Sequence, residues 1–303
     1  MILNSLFPVF ALIVLGHLLK RFGMTNDTFL STSDRMIYFI LFPLLLFWKI
    51  GTSPRALTMN FDYCLAALCA VTVVFVSSVL YIKVFRVGDF QAGTFSQSCY
   101  RFNTYVGMAV VLTALGEEGV RYFGILIGII IPVLNVMAVT ILIWYSGHRF
   151  TFWKQTRVTF KAVFSNPLIL ACIAGILFSN TVSVFPKFID NTLRLLSMIT
   201  LPLALISIGG ALTLKNLKKR FSLSFVSCIF KLAVLPLTGY VLLGAFNVTG
   251  LPFKVSMIFF ALPSSTAMYV LSSQLNSDTA LASATIVLST ILSFFSLSLV
   301  LSL

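Results

Sequence analysis

The chain has 303 residues, 59% hydrophobic and 10% charged, and its mean hydropathy is +1.03. Soluble domains run at about 45 to 50% apolar and about 25% charged, so a water-soluble globular protein is excluded and an all-α integral membrane protein is expected. The formal net charge of +13 does not signal nucleic acid, because the Lys and Arg residues sit in short segments between apolar runs, where membrane topology accounts for them.

Ten apolar runs are long enough to cross a hydrocarbon core of about 30 Å as helix. They cover residues 2–19, 36–52, 63–82, 92–114, 120–145, 162–180, 190–213, 222–244, 253–273 and 279–302. The first lacks a basic leader and a small-residue cleavage site, so it reads as a retained helix rather than a signal peptide. Thirteen of the 21 Lys and Arg fall in odd-numbered loops and six in even-numbered ones, with Arg101 and Lys231 inside runs. Odd loops are therefore expected in the cytoplasm and both termini outside, in a bacterial inner (plasma) membrane. Cys64, Cys69, Cys99, Cys172 and Cys228 all lie within runs and lack metal or disulfide spacing.

Two stretches break the apolar pattern. In the fourth run, Gln97 to Gly107 places Arg101, Asn103 and Thr104 at the depth of the bilayer centre, where polar groups must face protein or a watery cavity and carry a functional expectation. In the ninth run, Pro263 with Ser264, Ser265 and Thr266 sits at the midpoint, and the proline leaves the carbonyl four residues earlier without its donor. The prolines Pro43 and Pro202, 159 residues apart, share a Pro-Leu context, and an offset of 160 carries Glu118 onto Asp278 and Asn103 onto Pro263. Two copies of five helices follow, the second inverted because five is odd. Helices 4 and 9 are expected to be interrupted and to cross at mid-membrane, where half-helix N-termini suit an anion.

Candidate substrate-binding residues are Asn103, Thr104, Arg101, Pro263, Ser264, Ser265, Thr266 and Asn135. Asn103 offers donors and acceptors, and Arg101 can pair bidentately with a carboxylate. For each polar residue the competing reading is an interhelical bond that only holds the bundle together. Pro43 and Pro202 read as scaffold kinks. Lys231 reads as structural or as a source of field. No Asp or Glu stands at the middle of a run, so no buried proton-carrying carboxylate is expected. Sodium has only neutral oxygens on offer, from Gln97, Thr104, Ser265 or Gln274. His17 and His148 are far apart and without partners at ligand spacing, and no nucleophile or phosphate-loop motif occurs, so enzymatic catalysis is not expected. Metals and cofactors are not expected, apart from a coupling Na+ or H+.

Several motifs together make the chain resemble the auxin efflux carrier family over nearly its whole length. They are Arg101, Phe102, Asn103, Thr104 with Gly107; Pro132 with Asn135; Ser165, Asn166, Pro167; Leu201 to Leu205 with Gly209; and Leu262, Pro263 ahead of Tyr269. The resemblance implies a scaffold of helices 1, 2, 6 and 7 and a moving transport domain of helices 3–5 and 8–10. It also implies a substrate site at the crossing of helices 4 and 9, with an asparagine matching Asn103. Plant members carry crossover prolines where this chain has Phe102 and Met268, which leaves the unwinding of helix 4 open. The expected domains are residues 1–145, a short cytoplasmic linker 146–161, and residues 162–303. The implied activity is secondary active transport or uniport of a small organic carboxylate, an auxin-like weak acid or a dicarboxylate such as malate or malonate, by alternating access. The alternatives are a sodium-coupled symporter of the bile-acid type and a ligand-binding membrane sensor. The expected partners are an organic anion, the lipid bilayer and a second copy of the chain.

Overall fold

In a hydrocarbon layer each backbone N–H and C=O must find its partner within the protein, which makes helix the default for a chain this apolar. The computed structural model describes residues 2–52, 61–146, 166–182, 184–212 and 217–303, and among these it contains helices and no strand. In chain order the helices are α1 (Ile2–Arg21), α2 (Asp27–Gly51), α3 (Asp62–Val84), α4 (Asp89–Tyr100), α5 (Thr104–Tyr145) and α6 (Pro167–Thr181). They continue with α7 (Lys187–Ala211), α8 (Leu217–Ala245), α9 (Gly250–Ala261), α10 (Ala267–Gln274) and α11 (Thr279–Leu301). Among the described residues, seven helical stretches are long and apolar enough to cross a membrane, and Pro167–Thr181 and Gly250–Ala261 are shorter apolar helices. One of the seven, Asp89–Tyr145, spans 57 residues and turns back at Gly116, whose φ of 67° is easy only for glycine.

The expected second run, 36–52, is a correction: its helix begins at Asp27, nine residues earlier. The added turns are capped by Asn26, whose side chain accepts the Phe29 N–H at 2.7 Å. They are held to α7 by the Ser207 hydroxyl, which donates to Asp34 at 2.5 Å. Asp34 therefore lies within a helix. A wide π turn over Ile37–Leu41 precedes Pro43, and another over Phe230–Val234 precedes Pro236 in α8; each lets the helix continue past a residue with no N–H to give. The expected linker, 146–161, lies outside the described residues apart from Ser146.

Helix α1 packs on α7 and α2 on α6, while α8 packs against α3 and α11, and α5 against α4 and α9. The α1–α7 contact is close because Gly16 and Gly209 leave no side chain between the backbones: a Cβ on either would run into the carbonyl of Ile206 or Ile13. Small residues at such contacts are how membrane helices gain dispersion energy without a hydrophobic driving force.

Candidate functional site

Both expected interruptions are present, and they touch. Helix α4 ends at Tyr100, Arg101 is extended, and Asn103 opens α5 with its side-chain oxygen accepting the N–H groups of Tyr105 and Val106 at 3.1 and 3.2 Å. No proline is needed here, because this cap offers the chain a start for a new helix that competes with continuing the old one. Helix α9 ends at Ala261, Leu262 is extended, and α10 begins at Ala267. The Asn103 N–H donates to the Pro263 carbonyl at 2.9 Å. From the other side the Ser264 hydroxyl donates to the Ser98 carbonyl at 3.1 Å, and the Ser264 N–H donates to the Ser289 hydroxyl of α11 at 3.0 Å.

A helix that stops early leaves carbonyls without helical donors. Two of those at the end of α9 are met by side chains: Lys231 Nζ of α8 donates to Phe260 O at 2.8 Å, and the Ser296 hydroxyl of α11 donates to Ala261 O at 2.9 Å. Lys231 is fully buried, and no ion pair of the described residues includes it.

Beside the breaks lies a cavity of about 90 Å³. Its polar wall is Tyr38, Arg101, Thr104, Asn135, Asn166 and Ser265, and its apolar wall includes Phe102, Ile131, Leu134 and Leu168. None of the lining residues is acidic, and Arg101 is the one charged residue among them. Arg101 Nη2 donates to Asn135 Oδ1 at 3.3 Å, while its Nη1, sealed from solvent, has no partner. Asn103 is 2% exposed, and its Nδ2 is likewise without a partner. Two buried donors with nothing to donate to thus stand two residues apart in the helix break, and of the two residues Arg101 is on the cavity wall. A buried donor left unmet costs about 1 to 3 kcal/mol.

Of the eight candidates, Arg101, Thr104, Asn135 and Ser265 come together on the cavity wall. Asn103 and Pro263 bond to each other and are not among the lining residues. Ser264 is buried and engaged with backbone, and Thr266 is not among the lining residues. Tyr38 and Asn166 line the cavity without having been singled out as site residues. Asn166 also caps α6, accepting the Leu168 N–H at 2.9 Å. Its one sequence signal is the Asn-Pro pair at the head of a run, and Tyr38 has none beyond a polar tip on an aromatic ring.

A second polar group lies between α4 and α10. Gln97 Nε2 donates to the Ser272 hydroxyl at 2.8 Å, Thr94 Oγ1 stands 2.8 Å from both the Ser272 and Ser277 hydroxyls, and Ser277 donates to Phe90 O at 2.9 Å. With an amide N–H at one end and a carbonyl at the other, each hydroxyl proton has one place to go, so the chain runs in one direction. This network ties the two half-helices together. Gln97 Oε1 has no partner. Among the described residues no group of His, Cys, Asp and Glu could hold a metal ion.

A profile described as membrane transport protein matches residues 1–301. The chain is similar to an uncharacterized transporter of Methanocaldococcus jannaschii, 26% identical over 297 residues that cover 96% of this chain and 95% of the relative. It is also similar to an uncharacterized transporter of Methanothermobacter thermautotrophicus, 24% identical over 300 residues, covering 98% and 96%.

Proposed function

The chain belongs to the membrane transport protein family, that of the auxin efflux carriers, and from that premise we propose that this multi-pass transporter moves a small organic carboxylate by alternating access, with the cavity at the breaks as its substrate site. It is a transporter rather than an enzyme. The observation that carries the substrate class is a cavity with one cation, Arg101, and no acid on its wall, the cation having an unpartnered buried donor, Nη1, with a second unmet donor, Asn103 Nδ2, two residues on. A carboxylate brings the acceptors they lack, and charge-assisted bonds of this kind are the strong ones. The apolar wall suits an organic body, whether auxin-like or a short dicarboxylate.

Repeated geometry supports ten spans in two inverted copies, residues 1–145 and 162–303. Helices α4 and α9 both have 12 residues and begin 161 positions apart, at Asp89 and Gly250. Each follows a left-handed residue at the same offset, Arg86 and Asn247. Gly116 and Asn276, 160 apart, mark the turn after each broken helix. Polar contacts also sort the helix ends onto two faces. Trp48 Nε1 donates to Asp190 and Lys49 pairs with Glu117 on one face; Ser207 meets Asp34 and Arg220 pairs with Asp278 on the other. On this reading α1, α2, α6 and α7 are the scaffold and the rest the moving domain. Both termini lie outside the plasma membrane, and a second copy of the chain is the expected protein partner.

Efflux needs no coupling ion. One charge crossing 100 mV is worth about 2.3 kcal/mol, which sustains roughly a 40-fold outward gradient of a monoanion. The sodium-coupled reading rests on Gln97 Oε1, an unmet acceptor among hydroxyls; Na+ dependence of uptake into proteoliposomes would favour it.

The test is a thermal-shift screen of acetate, benzoate, malonate, malate and citrate on purified protein, followed by counterflow in liposomes. A ligand at 100 times its Kd stabilises by about 2.7 kcal/mol, a readable shift. Saturable stabilisation and counterflow by at least one carboxylate are expected; none by any of them overturns the assignment.

A further inference from the structure

The crossing has an electrostatic problem that the cavity wall alone does not solve. Each broken helix brings two ends to it: an N-terminus with about half a positive charge and a C-terminus with about half a negative charge. The C-termini of α4 at Tyr100 and of α9 at Ala261 therefore cancel the field that the N-termini of α5 and α10 would give an anion. A positive recess requires that both carbonyl ends be offset.

Arg101 and Lys231 stand at those two ends. Arg101 is the residue that directly follows α4. Lys231 reaches from α8 to donate to Phe260 O, in the last turn of α9, at 2.8 Å. It is fully buried, pairs with no carboxylate among the described residues, and is not on the cavity wall. Burying an ammonium against one neutral carbonyl is expensive, and a neutral hydroxyl suffices for the neighbouring carbonyl, that of Ala261. A cap alone would not call for a charge.

We propose that Lys231 is a specificity-determining residue for anions, acting through the carbonyl end of α9 rather than by touching the substrate: its charge offsets that end and leaves the crossing positive. This rests on the carboxylate reading of the cavity. Phe260 lies three residues before Pro263, at most about 11 Å along the chain. Across about 10 Å at an effective dielectric near 20, a unit charge changes anion binding by roughly tenfold.

The test compares binding of benzoate and of its neutral isostere benzamide, as Kd from thermal-shift titrations, in the parent, Lys231→Met, Lys231→Gln and Lys231→Arg. The glutamine keeps a donor for Phe260 O and removes only the charge, so it carries the comparison if the methionine variant does not fold. The parent should prefer benzoate, Lys231→Arg should keep that preference, and Lys231→Gln should lose about tenfold of it through weaker benzoate binding, with benzamide unchanged. A benzoate-to-benzamide ratio in Lys231→Gln equal to that of the parent overturns the role of Lys231 and leaves the carboxylate site standing. A parent with no preference for benzoate overturns both.

Discussion

The two helix breaks do the same job with different chemistry. The second contains a proline, Pro263, and the first contains none, yet both helices stop and restart over a few residues. What they share is a set of bonds across the crossing, from Asn103 N–H to Pro263 O and from the Ser264 hydroxyl to Ser98 O. The difference teaches that such a break is held by the partners its freed backbone groups find, and that a proline is one way among several to free them. It also separates two duties at the first break. Arg101 faces the cavity, and Asn103 builds the turn while holding one donor in reserve.

The sharpest way to break this comparison is to remove the charge. Arg101→Gln should weaken carboxylate binding by about 100-fold, since a hydrogen bond to a charged group contributes about 1.5 to 3 kcal/mol. Stability without ligand should fall by no more than about 1 kcal/mol, because the guanidinium has a single long bond to lose, to Asn135 Oδ1 at 3.3 Å, and its sealed Nη1 has no partner. Titration by thermal shift reads both at once, and an unchanged Kd would remove Arg101 from the site.

Next in size is Asn103. Asn103→Ala loses the cap on Tyr105 and Val106, which costs about 1 kcal/mol, and loses Nδ2 as well. Asn103→Asp keeps an acceptor for both N–H groups and replaces the donor with negative charge. The alanine variant should lose stability and transport together. The aspartate variant should keep its melting temperature without ligand, within about 2 °C by the usual scaling for a domain of this size, and still fail in counterflow. If Asn103→Asp transports as the parent does, the residue only builds the turn.

A smaller effect is expected at the second break. Ser264→Ala removes the hydrogen bond to Ser98 O and should cost about 1 kcal/mol of stability, with a change in carboxylate Kd well below that of Asn103→Ala. Chemical denaturation in detergent measures the first and the thermal-shift titration the second. An equal loss of affinity in the two variants would mean that the crossing cannot be divided into holding and binding residues.

How far the sequence announces this arrangement depends on whether a residue's role leaves a mark in composition. Arg101, Asn103 and Pro263 are conspicuous because polar groups and proline are rare at the middle of apolar runs. The first nine residues of α2 are inconspicuous for the opposite reason. Asp27–Met36 carries Asp27, Asp34 and Arg35, so an apolar count starts the helix late, while in the fold Asp34 is satisfied by Ser207, 173 residues away. Tyr38 and Asn166 reach the cavity only because α2 and α6 pack beside the breaks, and no local pattern encodes which side of a helix will face a neighbour distant in sequence. Whether helix 4 could unwind without a crossover proline was open in the sequence, since the answer lies in the bond to Pro263 O, contributed by a segment 160 residues on.

The mildest substitution is also the one most directed at the comparison. Pro263→Ala gives residue 263 an N–H that could bond to Phe259 O and extend α9 by one residue. An extension would have to pull Pro263 O away from Asn103 N–H and Ser264 away from both Ser98 and Ser289. Three bonds at about 1 kcal/mol each stand against one bond gained and a better helix residue, so the break should persist. Carboxylate affinity should stay within about threefold of the parent, and stability within about 1 kcal/mol. Backbone hydrogen exchange at residues 262 to 266 would read the break directly: exchange as in the parent is the expected result. Strong new protection there, together with loss of counterflow, would show that the proline and not the cross-bonds holds the second break, and the first would then need an explanation of its own.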